Sequence, residues 1–209
     1  MNKALFLDRD GTILKEIEGD SPETLGYLTN VQQVELIDGA AEAIAIARKM
    51  GYKTIIITNQ SAIARGMLTE EELDKINWKM LKLLKEANPE AKIDDLFYSP
   101  YLKEGSVEKY SIDSPKRKPD VGMIEEAQNK YVIDLSASYM IGDSYTDMKC
   151  GINAGIHNIL VKTGYGKIAY QKCLDENLKI DFIASNLLDA VHYISQRDGY
   201  PQEHDAKTA

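Results

Sequence analysis

Two short apolar runs in the first sixty residues end abruptly on polar side chains, and no other feature constrains the fold as much. Lys3-Ala4-Leu5-Phe6-Leu7 stops at Asp8, and the β-branched run KTIIIT of residues 53–58 stops at Asn59-Gln60. Runs of this length and composition read as strands buried on both faces. Between them Ala41, Ile44, Ala45, Ala47 and Met50 recur at helical spacing, opened by Asp38-Gly39 and closed at Gly51. The whole is a strand, helix, strand unit. Thr69-Glu70-Glu71-Glu72 is a capping box that opens a second helix, with Leu73, Ile76, Met80, Leu83, Leu84 and Ala87 on one side before Pro89. Beyond it residues 96–98 read as a strand, 99–119 as a polar stretch, 120–131 as a helix and 138–142 as a strand. A helix over 146–153, strands over 158–161 and 182–184, and a last helix over 186–196 complete the pattern. This alternation predicts an α/β chain with a mainly parallel sheet between two helical layers, and a ligand site beyond the carboxyl ends of the strands. Asp8, Thr58 and Asp143 each sit at such an end, so one edge of the sheet should gather all three.

Composition removes several classes of function. With 209 residues the chain suits one domain, expected over residues 1–197, with a flexible tail over 198–209. The two cysteines, Cys150 and Cys173, have no Cys-x-x-Cys spacing and no paired histidine nearby, which excludes a disulfide scaffold and a cysteine-based zinc cluster. Only Ala4 to Leu7 follow Lys3 before Asp8, and no apolar stretch approaches the length of a membrane span, so a cytoplasmic protein with no membrane partner is expected. A net charge of −8 repels polyanions and argues against a nucleic-acid partner. His157, His192 and His204 lack metal-binding spacing. Gly164-Tyr165-Gly166-Lys167-Ile168-Ala169 fits the GxGxxA pattern, but its expected place at the far edge of the sheet reads as a helix-opening turn, not a dinucleotide site.

The chemistry concentrates in three places. Asp8-Arg9-Asp10-Gly11-Thr12 sets two carboxylates two residues apart at a strand end, with Gly11 permitting a sharp exit. Alone, such a run could equally be a solvated turn. It is matched by Ile141-Gly142-Asp143-Ser144-Tyr145-Thr146-Asp147, another apolar run that ends on a carboxylate, with a second acid on the helix that follows. Converging hard oxygen ligands suit Mg²⁺, which keeps waters and a substrate phosphate in its shell. Lys118, between Lys116-Arg117 and Pro119, offers a cation to a phosphoryl group.

The strings FLDRDGT, IIITNQS, KRKP and IGDSYTD resemble, in order, the four motifs of the haloacid dehalogenase superfamily of phosphohydrolases, and they span residues 6–147. Within it, LDRDGTI, TNQSAIARG, GSVE, RKPDVGM and ASYMIGD are similar to the small heptose-bisphosphate phosphatases, whose nearest relatives are the histidinol-phosphate phosphatases. The resemblance implies a Rossmann-like three-layer α/β/α sandwich with no separate cap domain. It implies a monomer that hydrolyses a small phosphorylated sugar with Mg²⁺ through an aspartyl-phosphate, the 7-phosphate of D-glycero-D-manno-heptose 1,7-bisphosphate being the group removed, in the synthesis of surface polysaccharide precursors. Asp8 is then the nucleophile and Asp10 the general acid and base. The metal is held by Asp8, Asp143 and the main-chain carbonyl of Asp10, with Asp147 orienting the site. Thr58 and Lys118 hold the transferring phosphoryl, and Asn59, Gln60, Ser61 and Arg117 contact the rest of the substrate.

Three departures from the family pattern stand out. Many heptose phosphatases fold the loop before the lysine motif around zinc, but the corresponding positions here are Ser99, Tyr101, Ser114 and Lys116, so no zinc is expected. Tyr98, Tyr101 and Tyr110 packing together would order the loop instead. Residues 15–30 are longer than in those relatives, and Ala62 stands where glycine is usual. Two other functions remain open at this point: a histidinol-phosphate phosphatase, and a silent phosphate-binding module, whose mark would be the loss of an essential acid.

Overall fold

The apolar residues of β1 (Lys3–Leu7) divide between two cores, Leu5 and Leu7 facing one and Ala4 and Phe6 the other. This division follows from the two-residue period of a strand when both faces of a sheet are covered. The computed structural model describes residues 1–21 and 24–200. After β1 come β2 (Ile17–Ser21), β3 (Thr24–Gly26), α1 (Ala40–Lys49), β4 (Tyr52–Asn59), α2 (Glu70–Ala87), β5 (Asp95–Ser99) and α3 (Gly122–Tyr131). The chain continues through β6 (Tyr139–Gly142), α4 (Tyr145–Ala154), β7 (His157–Val161), α5 (Gly166–Asp175), β8 (Phe182–Ala184) and α6 (Leu187–Arg197).

Six strands form one parallel sheet in the order β5-β4-β1-β6-β7-β8, with α1, α2 and α6 on one face and α3, α4 and α5 on the other. From β1 the chain runs out to β4 and β5, then returns through α3 to β6 on the opposite flank of β1. The order therefore reverses beside β1, and at such a reversal the loops leaving neighbouring strands part and open a crevice. The expected three-layer α/β/α architecture is present. Thr69 and Glu72 close the capping box of α2, with Glu72 N donating to Thr69 Oγ1 at 3.2 Å and Thr69 N to Glu72 Oε2 at 2.8 Å.

Two elements depart from the sequence reading. Residues 15–30, read as irregular, contain the antiparallel pair β2 and β3; strands of five and three residues are too short to show an alternating pattern in sequence. The GxGxxA segment forms the expected helix-opening turn, but the helix it opens, α5, is absent from the sequence reading; its N-cap residue Tyr165 makes no side-chain cap hydrogen bond. At the C-terminus Asp198, expected to begin a flexible tail, accepts from Lys3 Nζ at 2.9 Å and Tyr52 Oη at 2.8 Å. Residues 201–209 of that tail lie outside the described residues. Among the described residues no helix is long and apolar enough to cross a membrane.

Ile56, on the middle strand pair and fully buried in the α1 core, tests this packing. Ile56→Ala should lower stability by about 2–5 kcal/mol in urea denaturation, because both transfer energy and cavity formation act there. A loss under about 1 kcal/mol would show that the site collapses freely and is not tightly packed.

Candidate active site

The pairing of β1 with β6 runs one residue beyond the end of β1: Asp8 N donates to Ile141 O at 3.0 Å, which sets Asp8 beside Asp143. Two glycines wall the Asp143 carboxyl group. Gly11 and Gly164 have φ of 75° and 52°, and a Cβ on either would collide with Asp143 Oδ2. Any other residue there would be both strained and clashing. Thr163 Oγ1 donates to Gly11 O at 2.5 Å and Tyr165 N to Asp143 Oδ2 at 2.7 Å, so the loop after β7 closes over the acid. Asp147 belongs to the capping box of α4: its Oδ2 accepts from Ser144 N at 3.0 Å and from Ser144 Oγ at 2.6 Å. That leaves Asp147 Oδ1 facing Lys118.

Lys118 is 2% exposed and its ammonium has three neighbours: Asp8 Oδ1 at 2.9 Å, Asp147 Oδ1 at 2.6 Å and Ile57 O at 2.8 Å. Asp8 Oδ1 and Ile57 O accept hydrogen bonds from the ammonium, and Asp147 Oδ1 is its second ion-pair partner. Asn59 holds the lysine's main chain, its Nδ2 donating to Lys118 O and its Oδ1 accepting from Lys118 N, both at 3.0 Å. Burial works against the ammonium, but Asp147 and Asp8 outweigh it and hold Lys118 above the usual lysine range.

Ligand oxygens of Asp8, Asp143 and Asp147 lie within 4.8 Å of one another. Burial first, then the charge of Asp147, pushes the Asp8 carboxyl up to about 7 despite Lys118. Asp143 is raised well above the usual range by burial and by Asp8. A fourth acid, Glu16, is pushed up to about 8 by burial and by the charges of Asp10 and Asp8. With all three carboxylates ionised, the cluster exceeds its one ammonium by two negative charges. A divalent cation matches that excess, and the all-oxygen donor set suits Mg²⁺.

Asp10 stands apart from that cluster. Its Oδ1 accepts from Arg9 Nε at 3.0 Å, and its Oδ2 accepts from Arg9 Nη2 at 2.8 Å and Gln60 Nε2 at 2.9 Å. Gln60 Nε2 also donates to Thr58 Oγ1 at 2.9 Å. Asp8, Asp10, Thr58, Asn59, Gln60, Lys118 and Asp143 line one pocket of about 260 Å³, with Glu16, Tyr27 and Tyr165 on its walls. A larger concavity of about 930 Å³ beside α1 and α6 is farther from this chemistry, and no second cluster of metal-ligating side chains occurs among the described residues.

The structure thus gathers seven of the expected site residues in one pocket. Ser61 and Arg117 are not among its lining residues; Arg117 is half-buried, with Nη1 donating to Tyr101 O at 3.0 Å. The amides of Asn59 and Gln60 already hold Lys118, Asp10 and Thr58. Sequence reading missed Arg9, Glu16, Tyr27 and Tyr165. The Gly164-Tyr165-Gly166 signal was visible, but it was assigned to the far edge, whereas the loop folds back over Asp143. Of the positions expected to replace zinc ligands, Ser99 and Ser114 are buried, Tyr101 packs at 6.3 Å from the Tyr110 ring, and Lys116 pairs with Glu126 at 2.7 Å. Tyr110 donates to Glu70, and Val107 N donates to Ala64 O at 2.9 Å, tying the loop to the start of α2 and to the segment before it.

The HAD-hydrolase-like family model matches residues 116–190. The D-glycero-D-manno-heptose-1,7-bisphosphate 7-phosphatase of Chlorobaculum tepidum is 36% identical over 194 residues, covering 90% of this chain and 92% of that protein. The D-glycero-beta-D-manno-heptose-1,7-bisphosphate 7-phosphatase of Haemophilus influenzae is 39% identical over 166 residues, 78% of this chain and 84% of the relative. Among solved structures, the D,D-heptose 1,7-bisphosphate phosphatase of B. bronchiseptica complexed with magnesium and phosphate superposes with a TM-score of 0.77 at 25% identity, covering 94% of this chain and 99% of that one. Likeness of this extent, joined to an acid cluster at the reversal point of the sheet, shows that the chain belongs to the haloacid dehalogenase-like phosphatases, which hydrolyse phosphoric monoesters.

Proposed function

We propose that this chain is a Mg²⁺-dependent sugar-phosphate phosphatase that removes the 7-phosphate of D-glycero-D-manno-heptose 1,7-bisphosphate through an aspartyl-phosphate. The observation that carries the chemistry is Asp8, on the pocket wall with Lys118 Nζ 2.9 Å from its Oδ1. Likeness to relatives named for the heptose bisphosphate supports the substrate. In the first step an Asp8 oxygen bonds to phosphorus as the bond from phosphorus to the sugar oxygen breaks, and Asp10 gives that oxygen a proton. In the second, Asp10 takes a proton from water, the water oxygen bonds to phosphorus, and Asp8 is released with inorganic phosphate. Lys118 and Thr58 hold the outer phosphoryl oxygens, where charge is carried through both steps. Asp8, Asp143 and the Asp10 carbonyl would hold Mg²⁺, which would supply positive charge beside the transferring group and favour the ionised form of Asp8.

Asp8→Asn should fold and lose more than about 99.9% of turnover, since removal of a nucleophile generally costs more than that. Asp10→Asn should keep KM within about threefold while kcat falls by a factor of about 10² or more, the usual worth of general acid catalysis. Steady-state kinetics on both variants checks the assignment. A folded Asp8→Asn protein with ordinary turnover would end it.

The raised acids also predict a pH-dependent response to the metal. The Asp8 carboxyl goes from 3.8 to about 7 on folding, so the metal-free folded state holds a proton that the unfolded state gives up. Asp8 therefore disfavours folding increasingly as pH rises from about 4 to 7. Mg²⁺ needs the ionised form, so its stabilising effect should grow over the same range. Thermal melts with and without millimolar Mg²⁺ should show a clearly larger shift at about pH 8 than at about pH 5. Equal shifts would mean that the ion binds elsewhere.

Substrate identity is decided by initial rates on heptose 1,7-bisphosphate, fructose 1,6-bisphosphate, histidinol phosphate and a 3′-phosphorylated oligonucleotide. The heptose bisphosphate should have a kcat/KM at least about tenfold above the others, a margin that one additional charge-assisted contact can supply. A preference for histidinol phosphate would overturn the substrate and leave the chemistry standing.

A further inference from the structure

Between the two acids of Asp8-Arg9-Asp10 lies a guanidinium that the reaction steps above do not use. Arg9 is fully buried, and Asp10 is its ion-pair partner among the described residues. Four bonds fix it: Nε and Nη2 fork onto the two Asp10 oxygens, Nη2 donates to Gln60 Oε1 at 3.0 Å, and Nη1 donates to Asn77 Oδ1 at 2.9 Å. Asn77 is an amide on the otherwise apolar buried side of α2, between Leu73, Ile76 and Met80. A polar group there lowers stability unless it has a partner, and its partner is Arg9.

The fork also determines what Asp10 can do. Oδ2 accepts two hydrogen bonds and Oδ1 accepts one, so the remaining lone pair of the carboxyl group belongs to Oδ1. We infer that Arg9, braced by Asn77 and Gln60, is the positioning residue for Asp10, clamping its carboxyl group so that Oδ1 carries the transferred proton. This inference rests on the acid and base role proposed for Asp10. Arginine suits the task because its planar fork matches a carboxylate in both distance and plane, which the point charge of lysine does not.

The test replaces Asn77, which touches Arg9 and does not line the pocket. Two substrates are compared on Asn77→Ala: the sugar phosphate hydrolysed fastest by the wild-type protein, whose alkoxide must be protonated as it leaves, and p-nitrophenyl phosphate, whose phenolate leaves without a proton. Turnover of the sugar phosphate should fall at least about tenfold with KM within about threefold. First-turnover release of nitrophenolate should stay within about threefold of wild type. Asn77→Asp keeps an acceptor oxygen for Arg9 and should restore the wild-type ratio of the two rates, whereas Arg9→Lys, which keeps the charge and loses the fork, should not. Equal losses on both substrates, no loss on either, full activity of Arg9→Lys, or failure of Asn77→Asp to restore the ratio would overturn the inference. Asp10→Asn distinguishes the two levels. If Asp10→Asn shows the selective loss and Asn77→Ala does not, only the positioning role falls; if Asp10→Asn shows none, the acid and base reading falls as well.

Discussion

One buried ammonium that touches two of the three carboxylates in a buried cluster is the interaction on which this site depends. Lys118 neutralises only part of the charge that Asp8, Asp143 and Asp147 place together, and its Nζ reaches Asp8, Asp147 and a carbonyl of β4 at once. Without it the three acids would repel one another in a region too dry to screen them. With it the excess amounts to two charges, which favours a dication over a monovalent one. The fold keeps this tension localised: the acids lie where β1 and β6 part, β4 supplies Thr58 and the Asn59 grip on Lys118, and Gly11 and Gly164 let the backbone close on Asp143.

The two carboxylates of the Asp8-Arg9-Asp10 run have different neighbours and hence different chemistry. Asp8 faces two other acids and an ammonium. Asp10 faces a fixed guanidinium and an amide. The roles proposed for them, nucleophile and proton carrier, fit these different surroundings, which arise because successive residues at a strand end point in different directions. Stability is sacrificed locally for this arrangement, since buried groups such as Arg9 and Asn77 would be replaced by apolar side chains if packing alone mattered.

Much of this was legible in the sequence because strand ends are sharp. The fall from Leu7 to Asp8, from Thr58 to Asn59 and from Gly142 to Asp143 marks three carboxyl ends, and parallel topology then requires their convergence. The α2 capping box was legible because it depends on residues only three apart. What was not legible depends on tertiary contact. Arg9 reads as a solvated turn residue until α2 is seen to bring Asn77 against it. Tyr165 reads as remote until the loop after β7 folds back. The β2 and β3 strands are too short to announce themselves, and the hydrogen bonds by which Asn59 and Gln60 hold Lys118 and Asp10 join residues far apart in the sequence.

Trapping with beryllium fluoride tests the central claim most directly, because this trigonal fluoride forms a stable bond to a nucleophilic carboxylate in place of a phosphoryl group. A crystal structure of the protein soaked with Mg²⁺, beryllium and fluoride should show the beryllium bonded to an Asp8 oxygen, with Lys118 Nζ moved from that carboxylate onto a fluoride and Mg²⁺ between Asp8 and Asp143. Beryllium on Asp10, or none in this pocket while Mg²⁺ is bound there, would contradict the account.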